Sequence, residues 1–408
     1  MAADVKSGEA ITQKTQDIFN AKNIETAYFN KNKIKVALFL PMTGKNRDLG
    51  QALYNSAILS LFDNDVNHNL ELFVFDSKDT PSDASQAFMQ IINSDIKIVI
   101  GPVYSTMVEA IKKNVLRNEM QIIAFSNNQE LSGNINNSSA VFVAGISPEQ
   151  QIDKIVSYAI DQNKGNFAVM SPSNSYGISM AKLLKNTVES RDGRVIKSEL
   201  YATSSDQDLR KSVKKIIESF TVPSKLAEGG GNKLDKNFRI KESDKIFVDI
   251  VLVPESGKTL SKIASLFREM QIAERPIKVA GIGQLDDVAF LNDKNYKDLL
   301  FAAPNHQRFE KFEKGYFQIY NKFPPRISSI AYDSVAAIAQ ISNKAKDSKI
   351  TLKDFLEYRN DEKLGFDGID GRFRFLKNGL VQRNLAILSI SENDFEQLEE
   401  PTQIFLDY

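Results

Sequence analysis

Residues able to run covalent chemistry are scarce in this chain. Cysteine is absent, which excludes disulfides, thiolate metal sites and a cysteine nucleophile. Histidine occurs twice, at His68 and His306, and each reads as an ordinary surface residue. A Ser-His-Asp relay would need one of them, and only His306, beside Pro304 and Asn305, sits near a strand end. The sequence holds no Gly-x-x-x-x-Gly-Lys-Ser/Thr loop, no His-Glu-x-x-His helix and no Gly-x-Ser-x-Gly elbow. Asp367-Gly-Ile-Asp370-Gly-Arg372 resembles a cation loop at first sight. Calcium takes about six to eight oxygens, however, and the EF-hand spacing is missing. We read the segment as a glycine-rich turn opening a strand, its aspartates accepting hydrogen bonds from the backbone or from Arg372 or Arg383. Gly229-Gly230-Gly231 has no strand before it and no helix after it, so it reads as a flexible loop and not a phosphate cradle. No metal or cofactor is expected. The chain does not read as an enzyme.

Composition points the same way. The 408 residues are 42% hydrophobic and 25% charged, a globular profile long enough for two cores. Lys plus Arg and Asp plus Glu each number 52, a formal net charge of +0, so nothing global indicates nucleic acid or an anionic membrane. No apolar run reaches the roughly 18 residues that a bilayer span needs. Met1-Ala2-Ala3-Asp4 starts no basic-then-apolar secretory pattern.

The elements that must position any site follow from hydrophobic patterning. Residues 1–33 read as a polar leader. Apolar runs at 34–40, 70–75, 96–100 and 122–125 alternate with helical periods, and each ends in a polar or glycine-containing turn. The pattern restarts with a helix over 149–162 and strands at 167–170, 195–200, 246–253 and 277–281. Continuous Val/Ile runs need cover on both faces, so these are parallel, helix-flanked sheets. Residues 222–243, rich in Gly, Lys, Asp and Asn, interrupt the second series as an exposed, flexible insertion. Open sheets of this kind bind ligands at the carboxyl ends of their strands.

Several motifs in order resemble one family. Val36-Ala-Leu-Phe-Leu-Pro-Met-Thr-Gly44, Ile98-Val99-Ile100-Gly101-Pro102 with Ser105, and Ile122-Ile-Ala-Phe-Ser126 are similar to the first lobe of periplasmic binding proteins of the leucine/isoleucine/valine type. Asp76 with Thr80, Phe142 to Gly145 with Pro148-Glu-Gln150, and Ser175-Tyr176-Gly177 continue the likeness, which covers about 34–392. The resemblance implies an α/β fold of two lobes, each a parallel sheet flanked by helices, joined by three crossovers. We expect the first lobe from 34–145 and 284–345, and the second from 146–280 and 346–408.

The second half is similar to a narrower branch, the penicillin-binding protein activators. The motifs are Val253-Pro-Glu-Ser-Gly257, Gly281-Ile-Gly283, Ala331-Tyr-Asp333 and Phe366-Asp-Gly-Ile-Asp-Gly-Arg-Phe373, with Gly379 and Arg383. That branch implies an envelope protein of the periplasm whose partner is a peptidoglycan synthase. The alternative is a receptor that hands an amino acid or similar small polar solute to an ABC permease. Two departures stand against the branch: the lipidated cysteine is missing, and Gln284-Leu285-Asp286 follows the Gly-x-Gly crossing where tryptophan is common. By motif position the ligand-binding residues are Ser105 and Ser126 in the first lobe and Tyr176 and Glu255 in the second. A hydroxyl and helix N-terminal amides can satisfy an anion in a desolvated cleft. The plainer reading makes the serines caps and Pro254-Glu255 a strand-end turn. Asp286 and Asp287 sit a few residues late for the family's amine-binding acid.

Overall fold

The computed structural model describes residues 33–132, 140–223, 241–283, 285–304, 306–344, 349–360, 362–392 and 394–405. The expected leader, up to residue 32, and residues 224–240 of the expected insertion lie outside this set.

Strands β1 (Ile34–Leu40), β2 (Leu70–Asp76), β3 (Ile98–Ile100), β4 (Gln121–Ala124) and β5 (Ala140–Val143) form one sheet in the order β2-β1-β3-β4-β5. All its pairings are parallel. Helices α1 (Arg47–Asn64), α2 (Pro81–Asn93) and α3 (Ser105–Arg117) are the connections. The apolar run of β1 is divided by parity. Val36, Leu38 and Leu40 pack with Leu53 and Ala57 of α1, whereas Ala37 and Phe39 pack with Phe88 of α2 and Val108 of α3. Side chains alternate across a strand, so an unbroken apolar run is what two covered faces require.

Helix α4 (Pro148–Asp161) leads into the second lobe. There β6 (Asn166–Pro172), helix α5 (Ser175–Glu189), β7 (Arg194–Tyr201) and helix α6 (Asp206–Ile217) precede a small pairing of β8 (Phe220–Thr221) with β9 (Ile246–Phe247). Strand β10 (Ile250–Val253), helix α7 (Gly257–Met270), β11 (Lys278–Gly281) and β12 (Leu300–Ala303) follow. The sheet is completed near the C-terminus by β16 (Ala386–Ile390) and β17 (Phe395–Glu399), in the order β17-β16-β12-β11-β10-β6-β7. The last two strands are antiparallel additions to a parallel sheet.

Between β12 and β16 the chain returns to the first lobe. Helices α8 (His306–Tyr320) and α9 (Ser328–Lys344) pack on α1, followed by helix α10 (Leu352–Glu357) and an antiparallel ribbon of β13 (Phe366–Gly368), β14 (Gly371–Phe375) and β15 (Val381–Arg383). Phe366, Phe373, Phe375 and Val381 join the first-lobe core, and Val143 bridges to Leu380, so the ribbon prolongs the first sheet beyond β5.

The lobe boundaries therefore differ from those expected. Leu300–Ala303 is wholly buried and pairs with β11 and β16, which keeps 285–303 in the second lobe. Residues 366–383 belong to the first lobe, because alternate residues of β14 face its core. The chain changes lobes after β5, after β12 and after β15.

A buried ionic network ties these crossings together. Asp286, next to the second-lobe core residue Leu285, accepts a 2.6 Å bond from Nε of Arg326. Nη1 of Arg326 lies 2.9 Å from Asp370 in the β13–β14 turn, and Ser329 donates to the same carboxylate at 2.7 Å. Asp333 of α9 accepts from the Ile369 amide at 2.6 Å and from Arg383 at 2.7 Å. The aspartates of the turn thus accept from arginines, as expected, but from arginines other than Arg372 and Arg383. Asp370 takes Arg326 and Ser329, Asp367 takes Arg308 at 2.7 Å, and Arg383 serves Asp333. Gln150, in the first turn of α4, donates to Val381 O at 3.0 Å and accepts from Arg383 N at 2.9 Å, supplying a partner to the outer edge of β15.

Three carboxylates share two guanidiniums here. Burial pushes the Asp333 carboxyl up to about 6; Arg383 opposes the rise and the nearby Asp370 charge reinforces it. A native pKa above the unfolded value means stability that is present below about pH 4 and is lost as pH rises through about 6. In urea melts, the stability of the parent relative to Asp333→Asn should fall by roughly 2 kcal/mol between pH 4 and pH 7. A pH-independent difference would show that Asp333 is charged throughout. Separately, Arg326→Met strands two buried carboxylates and should cost about 3–5 kcal/mol in the same melts at pH 7.

Candidate functional site

Each sheet has one point where strand order reverses. In the first, the chain runs from β1 outward to β2 and then returns to the other side of β1 as β3. In the second, it runs from β6 to β7 and returns beside β6 as β10. The crevice outside the carboxyl ends at such a point is where open α/β sheets bind ligands. The first crossing leaves the carboxyl end of β5 and enters the N-terminus of α4; the second leaves the carboxyl end of β12. Both carboxyl edges therefore adjoin the same crossovers and bound one cleft.

The first-lobe wall is the β3–α3 and β4 turns. Gly101 ends β3 with φ +100°, and a Cβ there would stand 2.2 Å from the Phe39 carbonyl oxygen. Only glycine tolerates that approach together with that backbone angle. The turn delivers Ser105, half-buried, to the first position of α3, and Ser126, buried, to the residue after Phe125. Their hydroxyl oxygens are 2.7 Å apart, and the Asn128 amide donates to Ser126 at 3.0 Å.

The second-lobe wall is built from β6, β7 and β10. Tyr176 lies in the first turn of α5 and is 47% exposed. Glu255 follows Val253 and the buried Pro254, and its carboxylate accepts from the hydroxyl of Tyr201, the last residue of β7. Burial raises the Tyr176 phenol above its ordinary range, and the Glu255 charge adds to the rise. The same two causes, with the hydrogen bond from Tyr201 to Glu255, raise Tyr201 much further. Two phenols and one carboxylate therefore share this wall.

Helix starts set the remaining electrostatics. Side chains of Thr80, Ser147, Asn174 and Ser205 cap α2, α4, α5 and α6. Among the described residues no N-cap side chain bonds the start of α1, α3 or α7, which begin after β1, β3 and β10 at the two reversal points, although the Arg47 amide of α1 donates to the Gly44 carbonyl. Free amides at a helix start favour an anion.

Of the sequence-predicted residues, the structure pairs Ser105 with Ser126 and groups Glu255 with Tyr176. The two groups sit on opposite lobes, and among the described residues no hydrogen bond joins them. Tyr201 was not foreseen; it reads as an ordinary strand residue, 54 positions from its partner. Other candidates are consumed by structure. Asp76 holds the β1–α1 loop through the Met42 amide and Thr43, and Thr80 caps α2. Burial alone would raise the Asp76 carboxyl, but Lys78, Thr43 and two amides outweigh it and hold the group at about 2. Asp286 is bound to Arg326, and Asp287 accepts from the Ala289 amide. His306 is buried, not a surface residue, with its ring edge-on to Phe395. Among the described residues no group of His, Cys, Asp and Glu could hold a metal ion.

The sequence profile of the periplasmic binding protein family matches residues 33–394. The chain belongs to that family. A structure from Rhodospirillum rubrum, described as a putative branched-chain amino acid ABC transporter, is similar with a TM-score of 0.68 and 15% identity over 90% of this chain and 100% of that one. A branched-chain amino acid ABC transporter periplasmic ligand-binding protein from Burkholderia xenovorans gives 0.66 and 13%, covering 90% and 94%. An uncharacterized protein of Rickettsia prowazekii is 21% identical over 378 residues, 91% of this chain and 90% of its own length.

These comparisons overturn the expected activator role. The family and the similar structures are those of periplasmic binding proteins and ABC transporter components, with no link to peptidoglycan synthesis. The physical reason the motifs misled is visible. Phe366, Phe373, Asp333, Asp370 and Arg383, which carried the likeness, are buried in the first-lobe core and the ionic network.

The geometry at Gly101 yields a test of how the first wall is held. Gly101→Val should destabilise the protein by about 3 kcal/mol or more, whereas Ser105→Ala should cost under about 1 kcal/mol. Thermal and urea melts of the two variants check this; equal melting of Gly101→Val and the parent would refute the tight approach to Phe39.

Proposed function

We propose that the protein binds a free amino acid, or a similar small zwitterion, between its lobes in the periplasm and delivers it to the permease of an ABC transporter. One observation carries this reading: the two reversal points present opposite chemistry. The first-lobe wall offers two hydroxyls, suited to a carboxylate. The second offers the Glu255 carboxylate between two phenols, suited to an ammonium group. An amino acid carries both charges on one carbon, so a single small molecule could satisfy both walls at once.

Closure supports the same role. Two lobes on three crossovers can bend as rigid bodies, and burying the ligand between them removes water from its polar contacts. Closure also gives a permease a way to distinguish loaded from empty receptor. The similar structures from Rhodospirillum rubrum and Burkholderia xenovorans carry descriptions naming branched-chain amino acid ABC transporters, which favours that partner here.

The test is a thermal-shift screen followed by calorimetry over the twenty amino acids, with small acids and amides as controls. At about 100 times Kd, a ligand that binds only the folded state stabilises by about 2.7 kcal/mol, which is readable as a rise in Tm. At least one amino acid should produce it, and Glu255→Gln should weaken that binding by about tenfold or more. A flat profile across the panel overturns the proposal.

A further inference from the structure

We infer that Tyr201 is a positioning residue for amine recognition: its hydroxyl fixes the Glu255 carboxylate so that the remaining oxygen is presented to the ammonium group of an amino acid. The inference rests on the binding function proposed above and deepens it.

Glu255 stands in a turn with little else to hold it. The residue before it is Pro254, and its own amide is spent on Val253 O at 2.9 Å. Ser256 and Gly257 beyond it are exposed, and Gly257 has φ +54°. A glutamate side chain in that setting has several accessible rotamers, and a freely moving carboxylate pays ordering entropy when it binds a cation. Among the described residues, Tyr201 is its one side-chain hydrogen-bond donor.

Tyr201 is suited to act as a fixed donor. It is 3% exposed and belongs to the apolar layer formed with Leu209, Val213, Leu260 and Ile263. Its backbone is also fixed, because its carbonyl accepts from Ser173 N at 2.9 Å and it pairs with Pro172 of β6. A buried phenol needs a partner for its hydroxyl, and Glu255 supplies it. One carboxylate oxygen is thereby engaged on the protein side. On the solvent side Tyr176 is close enough for the Glu255 charge to raise its phenol. The carboxylate is thus bonded to a rigid buried ring and stands near a half-exposed one.

A structural role alone, such as stabilising the β10–α7 turn, would treat all ligands alike. A positioning role acts only on ligands that carry the amine. The experiment compares L-leucine with 4-methylpentanoate, and L-glutamine with its des-amino counterpart glutaramate, by calorimetry on the parent, Tyr201→Phe and Glu255→Gln. Urea melts confirm that each variant is folded. The parent should prefer an amino acid to its des-amino analogue. Tyr201→Phe should lower that preference by about tenfold through weaker binding of the amino acid, with analogue binding unchanged. Adding Glu255→Gln to Tyr201→Phe should produce little further loss, since both act through one contact. Equal weakening of both ligands, or an unchanged preference, would overturn the positioning role while leaving amino-acid binding intact. If the parent binds neither amino acid, the amine-recognition assignment for Tyr201 falls for these probes, and the wider panel decides whether the binding function falls with it.

Discussion

Arg326, buried between two aspartates, holds this protein's lobes in register. Arg326 spans from Asp286, beside the second-lobe core, to Asp370, in the ribbon that extends the first sheet. Arg383 binds Asp333 one residue before the chain crosses again. Such pairs gain little over an apolar contact, because their desolvation cost offsets the attraction. What they provide is specificity. A hydrophobic joint could slide, whereas a guanidinium divided between two carboxylates has one geometry, and misalignment would leave charge unpaired. The Gln150 side chain adds a second fixed point by completing the hydrogen bonding of β15.

With the hinge fixed, the cleft chemistry follows from topology. A reversal of strand order spreads two helix starts apart and leaves a crevice, and each lobe has one such reversal. The first lobe lines its crevice with two hydroxyls; the second lines its crevice with a carboxylate and phenols. Neither wall needs a metal or a reactive nucleophile to bind a molecule carrying both signs of charge. The Glu255 and Tyr201 contact extends the logic one step inward, since the Glu255 carboxylate is anchored in the packed core of its own lobe.

Much of this was legible in the sequence, but unevenly. The runs Val36–Leu40 of β1, β3, β10 and β12 are unbroken apolar residues, which indicates that both faces are covered and therefore that the sheets are parallel. Gly101-Pro102 marked a strand end where no side chain fits. The lobe boundaries were misplaced because strand order is a long-range property: nothing local in Leu300-Phe-Ala-Ala303 says which sheet it joins. The network was hidden for the same reason. Arg326 lies 40 residues from Asp286, in a loop whose Pro324-Pro325 reads only as a turn. Tyr201 was invisible for a subtler cause, since a tyrosine closing a strand is ordinary until its partner is known.

The misreading of the branch follows from that distinction between pattern and position. A motif records residues that a fold needs together, and the need can be for assembly as readily as for output. Phe366-Asp-Gly-Ile-Asp-Gly-Arg-Phe373 turns the chain tightly, sends two phenylalanines into the first-lobe core and offers Asp370 to Arg326. Its strongly constrained residues are occupied by packing the first lobe and, through Asp370, by joining the lobes, so the segment can look alike in proteins with different partners. Residues at the carboxyl ends of β3, β4, β6 and β10 are under a different constraint. Ser105, Tyr176 and Glu255 there are only partly buried and outside the core clusters, so a change of side chain at these positions need not alter the fold. The proposed function therefore rests on Ser105, Ser126, Tyr176, Tyr201 and Glu255, and the architecture on the aspartates and arginines behind them.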